Sequence, residues 1–293
     1  MKPIFEGSGV AIVTPFKDGK VDFESFGKLI DWQLSEGTDA VIVCGTTGEA
    51  STLNDEEHMA TVEYAIKKVD KRVPVIAGVG SNDTHHAIFF SREAEKLGAD
   101  GLLHVTPYYN KASKKGLVEH YKAIANAVSL PIIVYSVASR TGVNITPDVC
   151  AKLARVDNIV GIKEASGNIS QCAEIARVTP DDFVMYSGND DMIVPLMSLG
   201  GSGVISTVAN VAPKDTHDMC VKFAAGDTKG ALDIQLAMKP LIDAVFIEVN
   251  PIPIKAALWL MGRIEYEYRL PLCKMEEANL EKLRGEMKAY GLI

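Results

Sequence analysis

Short apolar runs recur along the chain at a near-constant spacing. They fall at GVAIVTPF (9–16), AVIVCGTTGE (40–49), VPVIAGVGSN (73–82), GLLHVTPYYN (101–110), PIIVYSVASRTG (131–142), IVGIKEASGN (159–168), FVMYSGNDD (183–191) and GVISTVAN (203–210). Between them, amphipathic stretches with helical spacing predict helices over 22–37, 55–71, 84–98, 115–129 and 170–179. Strands that are apolar almost throughout, each followed by a helix, are parallel strands buried on both faces. Eight such units over about 210 residues predict a closed (β/α)8 TIM barrel. A doubly wound open sheet is the competing arrangement, but it requires a reversal of strand order that a sequence does not display.

The pattern changes after residue 212. Helices are predicted over 214–225, 228–247, 253–262 and 276–290, with breaks at Gly226 and at NPIP (250–253). The segment 240–262 is apolar at too many positions to face only water, so it packs on the barrel or on another subunit. No Ser- or Gly-rich linker intervenes. The expected organisation is therefore a barrel over 1–212 and a C-terminal helical extension over 213–293 packed on it.

Each apolar run ends in polar residues: Thr46-Thr47-Gly48-Glu49, Thr106-Pro107-Tyr108-Tyr109, Tyr135, Lys163-Glu164 and Ser187-Gly188-Asn189-Asp190. In a barrel the carboxyl ends of all strands meet at one mouth, where active sites are built. Lys163 is the most pointed case, because it directly follows the apolar Val160-Gly161-Ile162. A lysine stem can lie on apolar surface with its head in water. Surrounded by other strand ends, however, the amine is walled off. Its pKa then falls and it becomes a nucleophile toward carbonyls. Lys163 is thus expected to face Thr46, Tyr109 and Tyr135 across a shared cleft.

Composition narrows the function classes. The 293 residues carry 47% hydrophobic and 23% charged residues and a net charge of -8, with no basic stripe interleaved with aromatics, which argues against nucleic acid. No apolar run approaches the ~20 residues of a bilayer span. The amino-terminal apolar run is too short and too broken for a signal peptide, which points to the cytoplasm. Cys44, Cys150, Cys172, Cys220 and Cys273 show no CxxC spacing and fit reduced thiols rather than a disulfide framework or zinc site. His85 and His86 are adjacent and so share no helix face, which leaves no metal pair. The glycine-rich GGSGVIS (200–206) has two readings, a phosphate loop near the seventh and eighth strands or a tight turn, and no basic residue lies between Asn189 and Asn210 to favour phosphate.

Four motifs together carry a family likeness: GTTGE after the second strand, TPYYNK after the fourth, Tyr135 followed by RTG after the fifth, and IKEASGN at the sixth. From about residue 4 to the carboxyl terminus the chain resembles the class I pyruvate-dependent lyases of the N-acetylneuraminate lyase superfamily, and within them the dihydrodipicolinate synthase family. The resemblance implies condensation of pyruvate with L-aspartate 4-semialdehyde in the diaminopimelate/lysine pathway, through a pyruvate imine on Lys163 and with no metal or organic cofactor. It implies Tyr135 as the central acid/base, with Thr46 and Tyr109 completing a proton relay and Tyr109 arriving from a neighbouring subunit. The homo-oligomer it implies is a tetramer of two tight dimers.

Backbone N–H groups of Thr46-Thr47-Gly48, just before a helix, suit the pyruvate carboxylate. By the resemblance Thr47, the backbone at Ile205 and Gly188 line that pocket. The planar fork of Arg140 suits a second carboxylate, and related N-acetylneuraminate lyases generally lack an arginine there. Two other functions stay open: a pyruvate aldolase acting on a sugar acid, and a non-catalytic keto-acid sensor.

The chain departs from the family in two places. Ser136 and Ala138 stand where the family usually has asparagine and proline, which frees the loop before Arg140. Asp55 and His86 stand where lysine-inhibited members usually have histidine and glutamate, while His58, Asn82 and Tyr108 remain. Loss of a carboxylate at position 86 predicts weak or absent lysine inhibition.

Overall fold

A computed structural model describes residues 3–293; Met1 and Lys2, at the start of the expected barrel domain, lie outside the described residues. Among the described residues there are ten strands: β1 (Gly7–Ala11), β2 (Phe16–Lys17), β3 (Lys20–Val21), β4 (Ala40–Val43), β5 (Val75–Gly78), β6 (Gly101–Val105), β7 (Ile132–Ser136), β8 (Ile159–Glu164), β9 (Val184–Ser187) and β10 (Gly203–Ser206). Eight of them form a closed parallel barrel in chain order, with β10 returning to pair with β1. The helices are α1 (Phe23–Ser35), α2 (Asp55–Val69), α3 (Thr84–Leu97), α4 (Lys114–Ala125), α5 (Ala138–Thr141), α6 (Pro147–Leu153), α7 (Ile169–Val178), α8 (Ile193–Met197), α9 (Pro213–Ala224), α10 (Thr228–Val245), α11 (Ile252–Leu260) and α12 (Glu277–Tyr290).

The apolar strands bury residues on both faces, as parallel pairing requires. Ile42, Ile76, Leu103, Ile133, Val184 and Ile205 fill the lumen. Val41, Val43, Ala77, Val134, Ile162 and Val204 belong to the layer shared with the helices. Phe5, just before β1, stacks on Tyr186 with ring centroids 4.4 Å apart and fills the lumen from the amino-terminal side. The helices start where the sequence supplies caps: Asp22, Asn54, Asp83, Ser113, Asn168 and Asp227 each accept a backbone N–H of the first turn.

Several expectations shift. The barrel strands are only four to six residues long, and β1 begins two residues before its apolar run. The polar remainder of each run forms the loop at the mouth, because a barrel strand needs to cross only one wall. Helices α6 and α8 have no counterpart in the periodic pattern; α6 spans seven residues and α8 five, too short for a helical stripe to stand out. The β2–β3 hairpin turns at Asp18-Gly19, both with positive φ, a two-residue turn that the Asp-Gly pair signals. In the glycine-rich segment Gly200 precedes β10 and Gly203 opens it, so both lie at the end opposite the mouth. A Cβ on Gly203 would come 1.9 Å from Gly7 O. That glycine serves strand contact, not phosphate.

Helix α9 packs on β1, while α10 packs on both α9 and α12. Among the described residues, no helix is long and apolar enough to cross a membrane.

Candidate active site

A cavity of about 210 Å³ opens at the carboxyl ends of the strands. Six of the expected catalytic and substrate-binding residues line it, Thr46, Thr47, Tyr135, Arg140, Lys163 and Gly188, with Asn189 beside them. Tyr135 on β7 and Lys163 on β8 are register partners, which places both side chains on the lumen face of neighbouring strands. The Lys163 Nζ sits 4.4 Å from the centroid of the Tyr135 ring. Lys163 is only 6% exposed. Burial lowers its pKa from 10.5 to about 8; Asp190 opposes that fall and Arg140 adds to it. At that pKa roughly a tenth of the amine is free base at pH 7, against less than about a thousandth at the ordinary value, and the free base is the form that adds to a carbonyl.

Gly188 makes room for this lysine. A Cβ there would lie 2.7 Å from the Ala165 Cβ and 3.1 Å from the Lys163 Cε. Burial also pushes the Tyr135 hydroxyl up to about 12, with Arg140 and a hydrogen bond to Thr46 acting against it. Tyr135 is accordingly a proton donor in its resting state, with Thr46 as its immediate partner.

The Thr46-Thr47 turn is held from several sides. The Thr14 hydroxyl donates to Gly48 O at 2.7 Å, Asn250 Nδ2 donates to Thr47 Oγ1 at 2.9 Å, and the Thr47 and Thr207 hydroxyls lie 3.4 Å apart. The anion nest differs from expectation in two ways. The Gly48 N–H already donates to Gly45 O, which leaves the amides of Thr46 and Thr47. The turn runs into a 3-10 segment, Ala50–Thr52, and α2 begins only at Asp55, because Asn54 caps it there. The groups this turn offers to an anion are thus local amides and hydroxyls, not a helix terminus.

Two predicted residues lie elsewhere. Tyr109 is 92% exposed, with φ 67°, and does not line the cavity of its own chain. Ile205 is buried in the lumen packing instead of the cavity wall. Thr207 and Asn250 also line the cavity, and no signal in the sequence singles them out. Asn250 joins the two halves of the cavity: its amide holds Thr47, and its carbonyl accepts from Arg140 Nη2 at 3.0 Å. Asp190 is 2% exposed, its Oδ2 accepts from the Thr207 and Val208 amides, and burial raises its pKa. The NPIP signal reads as a helix break and Thr207 sits inside an apolar run, so neither advertised a side chain at the mouth.

Ser136, in place of the family's asparagine, is tied in. Its hydroxyl donates to Asn144 Oδ1 at 3.1 Å and accepts the Ile145 amide at 3.0 Å. Asn144 continues through Gln171 to Glu164, the neighbour of Lys163. A second cavity of about 430 Å³ shares Gly45, Thr46, Tyr135 and Arg140 with the first and extends to Asp55, His58, His86 and Tyr108. There His86 Nε2 lies 3.4 Å from the Asp55 carboxylate. Among the described residues no cluster of three or more His, Cys, Asp or Glu is arranged to hold a metal.

A buried lysine with a lowered pKa, set among hydroxyls at the carboxyl end of a (β/α)8 barrel, is the equipment of an imine-forming lyase. The chain belongs to the dihydrodipicolinate synthetase family, whose model matches residues 4–290. It is 56% identical over 290 residues to the 4-hydroxy-tetrahydrodipicolinate synthase of Alkaliphilus oremlandii, a match covering 99% of this chain and 100% of that relative. Among solved structures, dihydrodipicolinate synthase from Thermotoga maritima superposes with a TM-score of 0.98 at 46% identity, covering 99% of this chain and 100% of the other. The chloride-inhibited dihydrodipicolinate synthase from Acinetobacter baumannii, complexed with pyruvate, superposes at 0.97 with 45% identity, covering 98% and 99%.

Proposed function

We propose that the chain condenses pyruvate with L-aspartate 4-semialdehyde to give 4-hydroxy-tetrahydrodipicolinate in the diaminopimelate/lysine pathway. The observation that supports this reading most is Lys163, a buried amine whose pKa falls to about 8 inside a cavity walled by Tyr135, Thr46 and Thr47. The free amine adds to the pyruvate ketone and water leaves, forming a protonated imine. That imine draws electrons from the methyl group, which loses a proton to give an enamine. The enamine carbon attacks the aldehyde of the semialdehyde. Closure of the semialdehyde amine onto the imine carbon then releases Lys163, with one water lost overall. Tyr135, with Thr46 beside it, moves the protons. Thr47 and the Thr46 and Thr47 amides hold the pyruvate carboxylate, and Arg140 at the rim takes the carboxylate of the second substrate. The lysine is itself the electron sink, so these steps call on no cofactor.

The barrel of residues 1–212 carries the nucleophile and acid/base groups in this scheme, and the extension from 213 contributes Asn250. Tyr109, turned outward in its own chain, suits a cavity of a second copy, in a homotetramer built as a dimer of dimers. The setting we propose is the cytoplasm.

The test is borohydride reduction with pyruvate, followed by peptide mapping, and turnover with the semialdehyde. A single adduct on Lys163 and steady turnover are expected. Turnover with sugar acids alone would instead identify a sugar-acid aldolase, and an adduct without turnover a keto-acid sensor. No adduct on a folded protein would overturn the mechanism at its first step.

A further inference from the structure

Among the described residues only one other lysine is buried: Lys255 on α11, with no exposed surface at all. It does not line the cavity and forms an ion pair with Glu49, both side chains fully enclosed. The pair joins residues 206 positions apart in sequence. Its apolar surroundings are aromatic, with Lys255 Nζ 4.2 Å from the Phe16 ring centroid and 5.1 Å from that of Tyr268. A buried pair of this kind commonly stabilises no better than well-packed apolar residues of similar volume. Burial pulls the Lys255 pKa down against the effect of Glu49. Its value therefore has to be sought in what it positions.

Glu49 is the last residue of the turn that carries Thr46 and Thr47. Its backbone is left-handed, with φ 52° and ψ 34°, a conformation that is unfavourable for a non-glycine residue because its Cβ crowds the following carbonyl oxygen. Something must hold it there. On one side Lys255 grips the carboxylate. On the same side Arg269 clamps the segment that follows, donating to Thr52 O at 2.9 Å and to both Glu57 oxygens at 2.6 and 2.7 Å. Five residues before Lys255, Asn250 holds the Thr47 hydroxyl itself. The extension thus grips the turn at its side chain and at its far end.

We propose that Glu49 and Lys255 are positioning residues: their buried ion pair clamps the Thr46-Thr47 turn to the C-terminal extension and so sets the geometry of the pyruvate carboxylate site. This rests on the reading of the cavity as the pyruvate site. The pair acts on pyruvate capture, and leaves Lys163 chemistry unaltered once pyruvate is bound.

The experiment is borohydride trapping of the pyruvate imine across a range of pyruvate concentrations. It compares wild type, the double variant Glu49→Met/Lys255→Met, which removes both charges together, and Lys255→Arg, which keeps the charge but displaces its position. A misplaced turn should raise half-saturating pyruvate about tenfold or more in the double variant, while the trapping rate at saturation changes less than about threefold. In Lys255→Arg, which also serves if the double variant fails to fold, half-saturating pyruvate should rise about threefold. A purely structural pair would lower the melting temperature and leave half-saturation of the folded protein unchanged, and that result in either folded variant overturns the proposal. Wild type is the control for the underlying reading. If it forms no pyruvate adduct, the pyruvate site itself fails and the clamp with it. If it forms one and the variants match it, only the clamp fails.

Discussion

Replacing Lys163 by Met should abolish turnover and yet make the protein more stable. Methionine keeps an unbranched stem of similar length, so packing against Tyr135 is retained while the amine goes. Burial takes the Lys163 pKa from 10.5 to about 8. At about 1.4 kcal/mol per pH unit, the native state holds the charged amine less well than the unfolded chain by roughly 3 kcal/mol. The sign follows from proton counting. Below pH 8 both states are protonated and the whole penalty is present. Between about 8 and 10.5 the unfolded chain binds more protons, so wild-type stability rises with pH, and above 10.5 the penalty has gone.

The variant should therefore gain roughly 3 kcal/mol at pH 7, or roughly 5–10 °C in Tm for a domain of this size. By about pH 9.5 the gain should fall below half. Urea or thermal unfolding followed by circular dichroism at the two pH values measures both. A variant no more stable than wild type at pH 7, or one with the same advantage at both pH values, would refute the reasoning that Lys163 is held at a cost in stability for its nucleophilicity.

Further outcomes follow from the same geometry. Tyr135→Phe keeps a ring in the lumen and removes the hydroxyl, so turnover should drop by about 10²–10⁴-fold while a trappable imine still forms; a kcat within about threefold of wild type would remove Tyr135 from the acid/base role. Gly188→Ala should slow imine trapping by about 10–100-fold, since its Cβ meets the Lys163 stem at 3.1 Å, and an unaltered trapping rate would contradict the packing. Ala138 opens α5, where proline is tolerated, so Ala138→Pro should fold and lower the Michaelis constant for the semialdehyde; an unchanged constant would show that the loop before Arg140 does not limit binding. Lysine should inhibit weakly or not at all, because the carboxylate near its expected ammonium site, Asp55, faces His86; submillimolar inhibition in a titration would refute this.

The barrel was legible because its strands are buried on both faces, and that burial imposes a pattern of apolar runs and helical spacings that any reader of the chain can count. The motif residues Thr46, Thr47, Tyr135, Arg140, Lys163 and Gly188 were legible for a related reason: chemistry in this fold sits where apolar runs end. The chain by itself thus determined the architecture, the buried lysine and most of the residues that line the cavity with it. It did not determine how the turn at Thr46-Thr47 is held. Asn250, Lys255 and Arg269 lie some 200 residues further on, in a segment whose apolar pattern reports burial but not what is buried against what. A charge such as Lys255 in that segment reads as a solvated exception until closure of the barrel sets it against Glu49. Tyr109 shows the converse, a motif residue that the fold of its own chain leaves in solvent. Sequence periodicity records which face of an element avoids water. Only tertiary structure decides which distant groups then meet, because that depends on the path of the whole chain and not on any local repeat.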